Sequence, residues 1–368
     1  MRSRLLVRYV LAEMIPAFLL GVFVFVSILL MFQALRLTEF ILVFGVKVST
    51  VLEMMGYLSM SFLPILFPMS LIFTVILIYG RLSSDSEIVA LRAAGLSMVS
   101  IGAPALILSF LVSILSLQTS FHLAPWGHQK FDALINQLGS AKPGVTIKEG
   151  TFSDGFFDLV VYANKVDNKQ GTLHDVFIYD ERTQPPIAIV AREGRIVKDD
   201  EKPGQSAALQ LTDGSFHRAT EARHTKIDFR TYDLHLFAPV NQSSISSKAT
   251  IALTLDELRQ ALRGEAGELK PEKRIDLETE FHKRIAIGLA CFILGVIGVA
   301  LGTVTNRRNV KAGGAVLSIG IIVTYWILFL ASESLARGGI LVPWLAMWLT
   351  NIIFAVAGGF LLRRAWNS

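Results

Sequence analysis

The chain has a single cysteine, Cys291, and it sits inside an apolar run, so the polar part of the chain holds no disulfide. That neither supports nor excludes an oxidising compartment. No GxxxxGK(S/T) occurs, so the chain does not itself cradle a nucleotide in a P-loop. The histidines (His122, His128, His174, His217, His224, His235 and His282) are scattered, with no HExxH and no cysteine partners, which makes a zinc site improbable. They read as solvated surface residues. There is no GxSxG nucleophile elbow, and no catalytic residue and no metal site is assigned. Charge within the apolar runs is nearly absent. Glu13 stands about a turn inside the first, close to Arg8, and Glu333 lies near the end of the fifth; both read as snorkelling or locally paired. Proton- or ion-coupled carriers need carboxylates or broken helices at the bilayer midplane. Energy for any transport should therefore come from outside this chain.

What the sequence does have is hydrocarbon. It is 52% hydrophobic, which places it in the membrane class before any motif is read. Residues 10–35, 55–80, 99–121, 285–305, 313–335 and 341–362 each approach or exceed the ~20 apolar residues that cross a ~30 Å hydrocarbon core. They fall three and three around a polar stretch from Phe121 to Lys283. That stretch carries 21 Lys/Arg against 24 Asp/Glu, so the net charge of +5 arises at helix ends, and a nucleic-acid-binding face is disfavoured. With the N-terminus in the cytoplasm, that side holds Arg2, Arg4, Arg8, Arg81, Arg92, Arg307, Arg308, Lys311, Arg363 and Arg364. The short loops opposite hold only Arg36, Lys47 and Arg337. The imbalance predicts cytoplasmic termini and a polar domain facing away from the cytoplasm. The first run is too long for a signal h-region and lacks a small-residue cleavage site, so it is expected to be retained.

Within the runs, Pro64 and Pro68 should kink the second, and Gly298 with Gly302 fits the small-xxx-small pattern of close helix contact, a weak signal alone. The polar domain reads as all-β, a sandwich or jellyroll. Strands are expected at Val145–Phe152, Phe156–Ala163, Leu173–Asp180, Ile187–Ala191, Ala207–Leu211 and Lys226–Phe237. Turn signals stand between them, among them Asp213-Gly214. In the last run Ile227 and Phe229 alternate in one register and Tyr232, Leu234 and Leu236 in the other, which a bulge near Arg230-Thr231 would reconcile. Thr254 to Glu257 is a capping box opening a short helix, and Pro271 begins the charged approach to the fourth run. The expected domains are 1–121 (three spans), 122–270 (β) and 271–368 (lead-in and three spans).

The link between the second and third runs is the most informative local feature. Residues 84–95 predict a compact helix: Ser84 with Glu87 forms an S-x-x-E capping box, Asp85 favours the positive helix end, and Gly95 suits C′. Ile88, Leu91 and Ala94 share a face, as in a helix built to dock, or one resting on lipid.

These features together resemble the LptF/LptG family, permeases of the lipopolysaccharide export ABC transporter. The likeness covers essentially the whole chain. It is carried by Asp85-Ser-Glu87-Ile-Val-Ala-Leu-Arg-Ala-Ala-Gly95, by Leu63-Pro64 to Pro68-Met69, by Ala124-Pro125-Trp126, by Pro143-Gly144 to Gly150-Thr-Phe152, and by Glu280-Phe-His-Lys-Arg284. The Asp-Ser-Glu wording and the segment after the third run resemble the LptF branch more than LptG. The resemblance implies a non-enzymatic subunit of an inner-membrane complex with a second permease, an LptB-like ATPase dimer that uses ATP with Mg, a bitopic LptC-like protein and a periplasmic bridge. This chain would bind no cofactor. It also implies a coupling helix in which Ser84, Asp85, Glu87, Ile88, Leu91, Arg92 and Gly95 meet the ATPase, head-group contacts at Arg36 and Lys47, and a lipid path past Phe229 and Ile227 in a periplasmic jellyroll. A permease for a different lipid or glycolipid, or the LptG-type paralogue, remains the alternative. A transmembrane sensor, a secondary transporter and a membrane-anchored enzyme lack, respectively, the inner signalling domain, the midplane carboxylates and the polar constellation they would need.

Overall fold

Long uninterrupted apolar sequence folds as helix because every backbone group can then be satisfied within the segment. The computed structural model describes residues 2–44, 46–141, 149–153, 159–167, 171–180, 186–198, 207–220, 223–235, 249–264, 271–304 and 310–367. Its helices are α1 (Arg2–Phe44), α2 (Val48–Ser84), α3 (Glu87–Ala93), α4 (Met98–Gln118), α5 (Ala124–Ala141), α6 (Leu255–Leu262), α7 (Pro271–Val304), α8 (Val310–Arg337) and α9 (Pro343–Asn367), with a π-helical turn over Thr119–Leu123. Among the described residues six are long and apolar enough to cross a bilayer, in the expected three-plus-three arrangement. The chain divides into two compact units. One is Met1–Phe32, Gly56–Gln129 and Ser244–Ser368; the other is Gln33–Met55 and Lys130–Ser243.

In the first unit α7 is the central post, and glycine lets it approach its neighbours. A Cβ on Gly298 would stand 2.8 Å from Val75 Cγ1, and one on Gly302 would stand 2.6 Å from Tyr79 Cβ, both on α2. Gly288 and Gly295 likewise face Leu117 and Ser109 of α4. The weak glycine pattern thus marks a real close contact. α2 stays helical through both prolines. Pro68 has no N–H to give the Pro64 carbonyl, and Ser116 of α4 donates to that carbonyl instead at 3.4 Å. Ser113 donates to Gly288 O at 2.8 Å, and Tyr79 to Ile101 O at 2.7 Å. In the second half Tyr325 donates to Asn351 Oδ1 at 2.9 Å, and Asn351 Nδ2 donates to Ala286 O at 2.8 Å, tying α8, α9 and α7.

In the second unit β1 (Phe152–Ser153), β2 (Leu159–Asp167), β3 (Thr172–Asp180), β4 (Ile187–Lys198), β5 (Ala207–Thr220) and β6 (Arg223–His235) pair antiparallel in chain order. Residues 145–148, within the first expected strand, lie outside the described residues, as does Leu236. The pairing is continuous in every ladder from β2 to β6 except at one row: Asn164, Asp175, Arg192, Asp213 and Arg230. At this row the inward set changes parity. In β2 it passes from Leu159, Val161 and Ala163 to Val166; in β3 from Leu173 to Val176 and Ile178; in β5 from Leu209 and Leu211 to Phe216; in β6 from Phe229 to Tyr232 and Leu234. Asp175 and Asp213 take left-handed φ of 49° and 52°, which turns the strand there. The strands therefore cross a common corner and keep their apolar side chains on one face, as strands do when they pass between packed layers.

Three expectations change. Asp213-Gly214 is a strand corner, not a turn, because an Asp tolerates the αL backbone a corner needs, and β5 runs through it to Thr220. The register change near Arg230 exists without an extra residue, since the neighbouring strands take the same step. β4 also continues past Ala191 to Lys198.

Adding one methyl at Gly302 should destabilise the bundle by about 1–3 kcal/mol through overpacking. Gly302→Ala is expected to lower the thermal unfolding midpoint in detergent, whereas Gly320→Ala, whose Cβ would meet nothing within 4 Å and which replaces a poor helix former by a good one, does not lower it.

Candidate functional site

The turn between α2 and α4 is built differently at its two ends. α2 runs on to Ser84, whose hydroxyl donates to Arg81 O at 2.9 Å, so Ser84 closes α2 and does not cap α3. Helix propagation adds a backbone bond for each residue fixed and outcompetes a side-chain cap here. The N-cap is Ser86, in the left-handed region at φ 62°, with no side-chain cap bond. The expected capping box is therefore absent. The C-terminal end is as anticipated: Gly95 takes φ 84°, its N–H donates to Arg92 O at 2.9 Å, and Leu96 N–H donates to Leu91 O at 3.1 Å, the Schellman arrangement. Ile88 is only 5% exposed and belongs to the buried cluster that includes Leu82, Ile101 and Ala105; Leu91 and Leu96 lie against the same cluster. Ala94, expected on this face, is exposed. The apolar stripe thus keys α3 into its own bundle. What faces outward is Asp85, Ser86, Arg92 and Val89, the last 53% exposed, with Glu87 partly exposed at the first helical position.

Glu13, expected beside Arg8, instead pairs with Arg81, tying α1 to α2 just before α3. Lys47 is exposed immediately before α2, and its carbonyl accepts from Thr50 N–H at 3.0 Å. Arg36 lies in α1, and its side chain is outside the described residues.

In the β-sheet, Phe229 and Ile227 fall on the inward parity of β6, the outermost strand among the described residues. Phe216, Phe229 and Tyr232 cluster with ring centroids 4.6–5.6 Å apart, and Ile227, paired with Phe216, is exposed. The arrangement is an apolar lining at the rim of the folded sheet that aliphatic chains could occupy. Among the described residues no group of His, Cys, Asp and Glu could hold a metal.

The Glu280–Arg284 motif acquires a structural meaning. Arg284 is 3% exposed; it pairs with Glu280 at 3.0 Å and donates to the carbonyls of Leu253 at 2.7 Å and Ile251 at 2.9 Å. Gln129 of α5 donates to Ala252 O at 2.8 Å, and the Thr254–Glu257 capping box forms as anticipated. One step along, Lys283 pairs with Glu333 at 2.8 Å, and Arg337 pairs with both Glu333 and Asp276, so α7 and α8 are riveted by charge. Sequence reasoning missed Arg284 as an anchor and Asn351 as a clamp. An i,i+4 Glu–Arg pair beside a capping box was the available signal for the first; a lone Asn in an apolar run was the signal for the second.

These elements define a multi-pass helical membrane protein with an inserted β-domain. Residues 8–364 match the family described as "Lipopolysaccharide export system permease LptF/LptG", and the chain belongs to that family. It is 23% identical to the lipopolysaccharide export system permease protein LptF of Escherichia coli K12 over 95% of this chain and 92% of that protein, and equally to its counterpart in Shigella flexneri.

Removing Arg284 would leave Glu280 as an uncompensated buried charge, a loss of about 3–5 kcal/mol. Arg284→Met should make residues 249–264 sensitive to limited proteolysis, whereas Arg274→Met, breaking an exposed pair with Glu278, should not.

Proposed function

We propose that this chain is a transmembrane subunit of an ATP-driven complex that extracts lipopolysaccharide from the inner membrane and passes it outward through its β-domain. The observation that carries this reading is the two-sided α3. Its apolar side is locked into the bundle and its polar side, with Asp85, Glu87 and Arg92, is presented outward. A connector between spans needs neither feature, while a handle for a separate motor needs both. The chain has no nucleotide-binding motif of its own, so ATP and Mg would be used by an LptB-like ATPase dimer gripping α3. In this role Ile88, Leu91 and Gly95 hold the handle's shape, and Asp85, Glu87 and Arg92 make its contacts. Ser84 ends the helix that the handle moves.

The further partners are a second permease of the LptG type, an LptC-like bitopic protein and a periplasmic bridge. The Lys/Arg distribution supports cytoplasmic termini with α3 on the same side and the β-domain in the periplasm. Lipopolysaccharide joins several acyl chains to a polyanionic head. Arg36 and Lys47 suit the phosphates, and the inner face of the sheet at Phe229, Ile227, Phe216 and Tyr232 suits the acyl chains. A sheet folded along one corner over its own apolar face is the jellyroll-like groove such a path requires.

Glu87→Lys is expected to leave the complex assembled but to lower lipopolysaccharide release by roughly tenfold or more, as loss of a coupling contact of 1–3 kcal/mol allows. Wild-type release from proteoliposomes would remove the handle assignment. A photocrosslinker at Phe229 should capture lipopolysaccharide only with ATP present; equal capture without ATP would argue against a path there.

A further inference from the structure

α1 is fastened to this chain along only part of its length. Leu6, Val10, Met14 and Phe18, spaced one turn apart, are buried in the same apolar cluster as Leu82 and Ile88. Gly21 approaches Ser70 of α2, but none of residues 22–32 is buried, and Phe23 is 67% exposed. By helical rise the fastened stretch from Leu6 to Phe18 is about 18 Å long and sits at the end of α1 nearest α3. At this end Arg81 pairs with Glu13, across 68 residues of sequence. Arg81 Nε is buried without an acceptor among the described residues, so Glu13 is the anchor of this guanidinium. Glu87, in the first turn of α3, adds a weaker electrostatic attraction to Arg81. The ion pair stands three residues before α2 ends, beside the apolar cluster in which α1 and Ile88 of α3 are both buried.

We propose that the Arg81–Glu13 ion pair is the positioning contact that passes displacement of the α2–α4 turn to α1, so that α1 tilts with α3 when the motor moves it. A packed helix end moves as a unit with what it is keyed to. An ion pair fixes direction where apolar packing alone would let α1 rotate about its axis. Beyond Gly21 the packing thins to Val22 against the cluster and an edge-on contact of Phe25 with Phe73, so the motion is expressed in this more loosely held stretch. This rests on the reading that α3 receives an ATPase's stroke.

The test uses the complete complex in proteoliposomes, with ATP hydrolysis and lipopolysaccharide release measured together. Glu13→Gln and Arg81→Gln are expected to lower lipid released per ATP by about fivefold or more, while hydrolysis itself stays within about twofold. The exchange Glu13→Arg with Arg81→Glu should restore release per ATP to within about twofold of wild type, because it rebuilds the pair with reversed polarity. A spin-label pair at Phe32 and Val356 of α9, both exposed, should change separation on adding ATP in the wild type and the exchanged variant, but not in Glu13→Gln. If both single variants export with wild-type stoichiometry, or if the exchanged variant assembles yet stays uncoupled, the proposal is overturned. Glu87→Lys separates the two readings. If that variant exports normally, the handle assignment fails; if it is uncoupled while Glu13→Gln is not, only the Arg81–Glu13 link fails.

Discussion

A carbonyl inside hydrocarbon has no water to accept from, and this constraint organises the helical unit. α2 carries two prolines, and the carbonyl left without a donor by Pro68 is satisfied by Ser116 on another helix. That solution requires α4 to lie against α2, and α4 reaches its place only because Gly288 and Gly295 let it settle on α7. Ser113, Tyr79 and Asn351 then donate to backbone or side-chain oxygens of neighbouring helices. Polar contacts and close glycine packing are thus one arrangement: remove the glycines and the hydroxyls no longer reach.

The β-domain solves a different problem. A sheet with water on both sides cannot bury an apolar face, and among the described residues no helix intervenes between β1 and β6 in the chain. By stepping all strands at one row it folds over its own inner side chains, each worth about 1.5–3 kcal/mol on full burial. The cover is incomplete near β6, where Phe216, Phe229 and Tyr232 remain partly buried and Ile227 is exposed. The same economy that stabilises the sheet leaves an apolar rim at β6, and that rim is where the lipid path is proposed.

How much could be read beforehand depended on whether the controlling interaction was local. The spans were legible because composition alone decides them, and the Thr254 and Gly95 caps because their partners lie within four or five residues. The start of α3 was not: Ser84 with Glu87 has the spelling of a capping box, but α2 arrives with its hydrogen-bond ladder intact and takes Ser84 first. Asp213-Gly214 has the spelling of a turn, yet the αL backbone that makes a turn also makes a corner, and only the neighbouring strands decide between them. Glu13 had Arg8 nearby in sequence, but Arg81 comes closer in space. Of the candidate site, the existence of α3 and the inward parity of Phe229 were legible; the inward commitment of Ile88 and the junction built around Arg284 required tertiary structure.

The row from Asn164 to Arg230 also constrains how this domain can vary. Substitutions at the exposed Asn164, Arg192 and Arg230 of this row are cheap, whereas Asp175 and Asp213 hold left-handed backbone that few side chains tolerate, and the residue count on either side is not free. A single deletion on one flank of one strand would put its far half out of phase with both neighbours, presenting Tyr232 and Leu234, or their equivalents, to water. Lineages should therefore lengthen or shorten the connecting loops and leave the spacing between each strand's two apolar sets untouched.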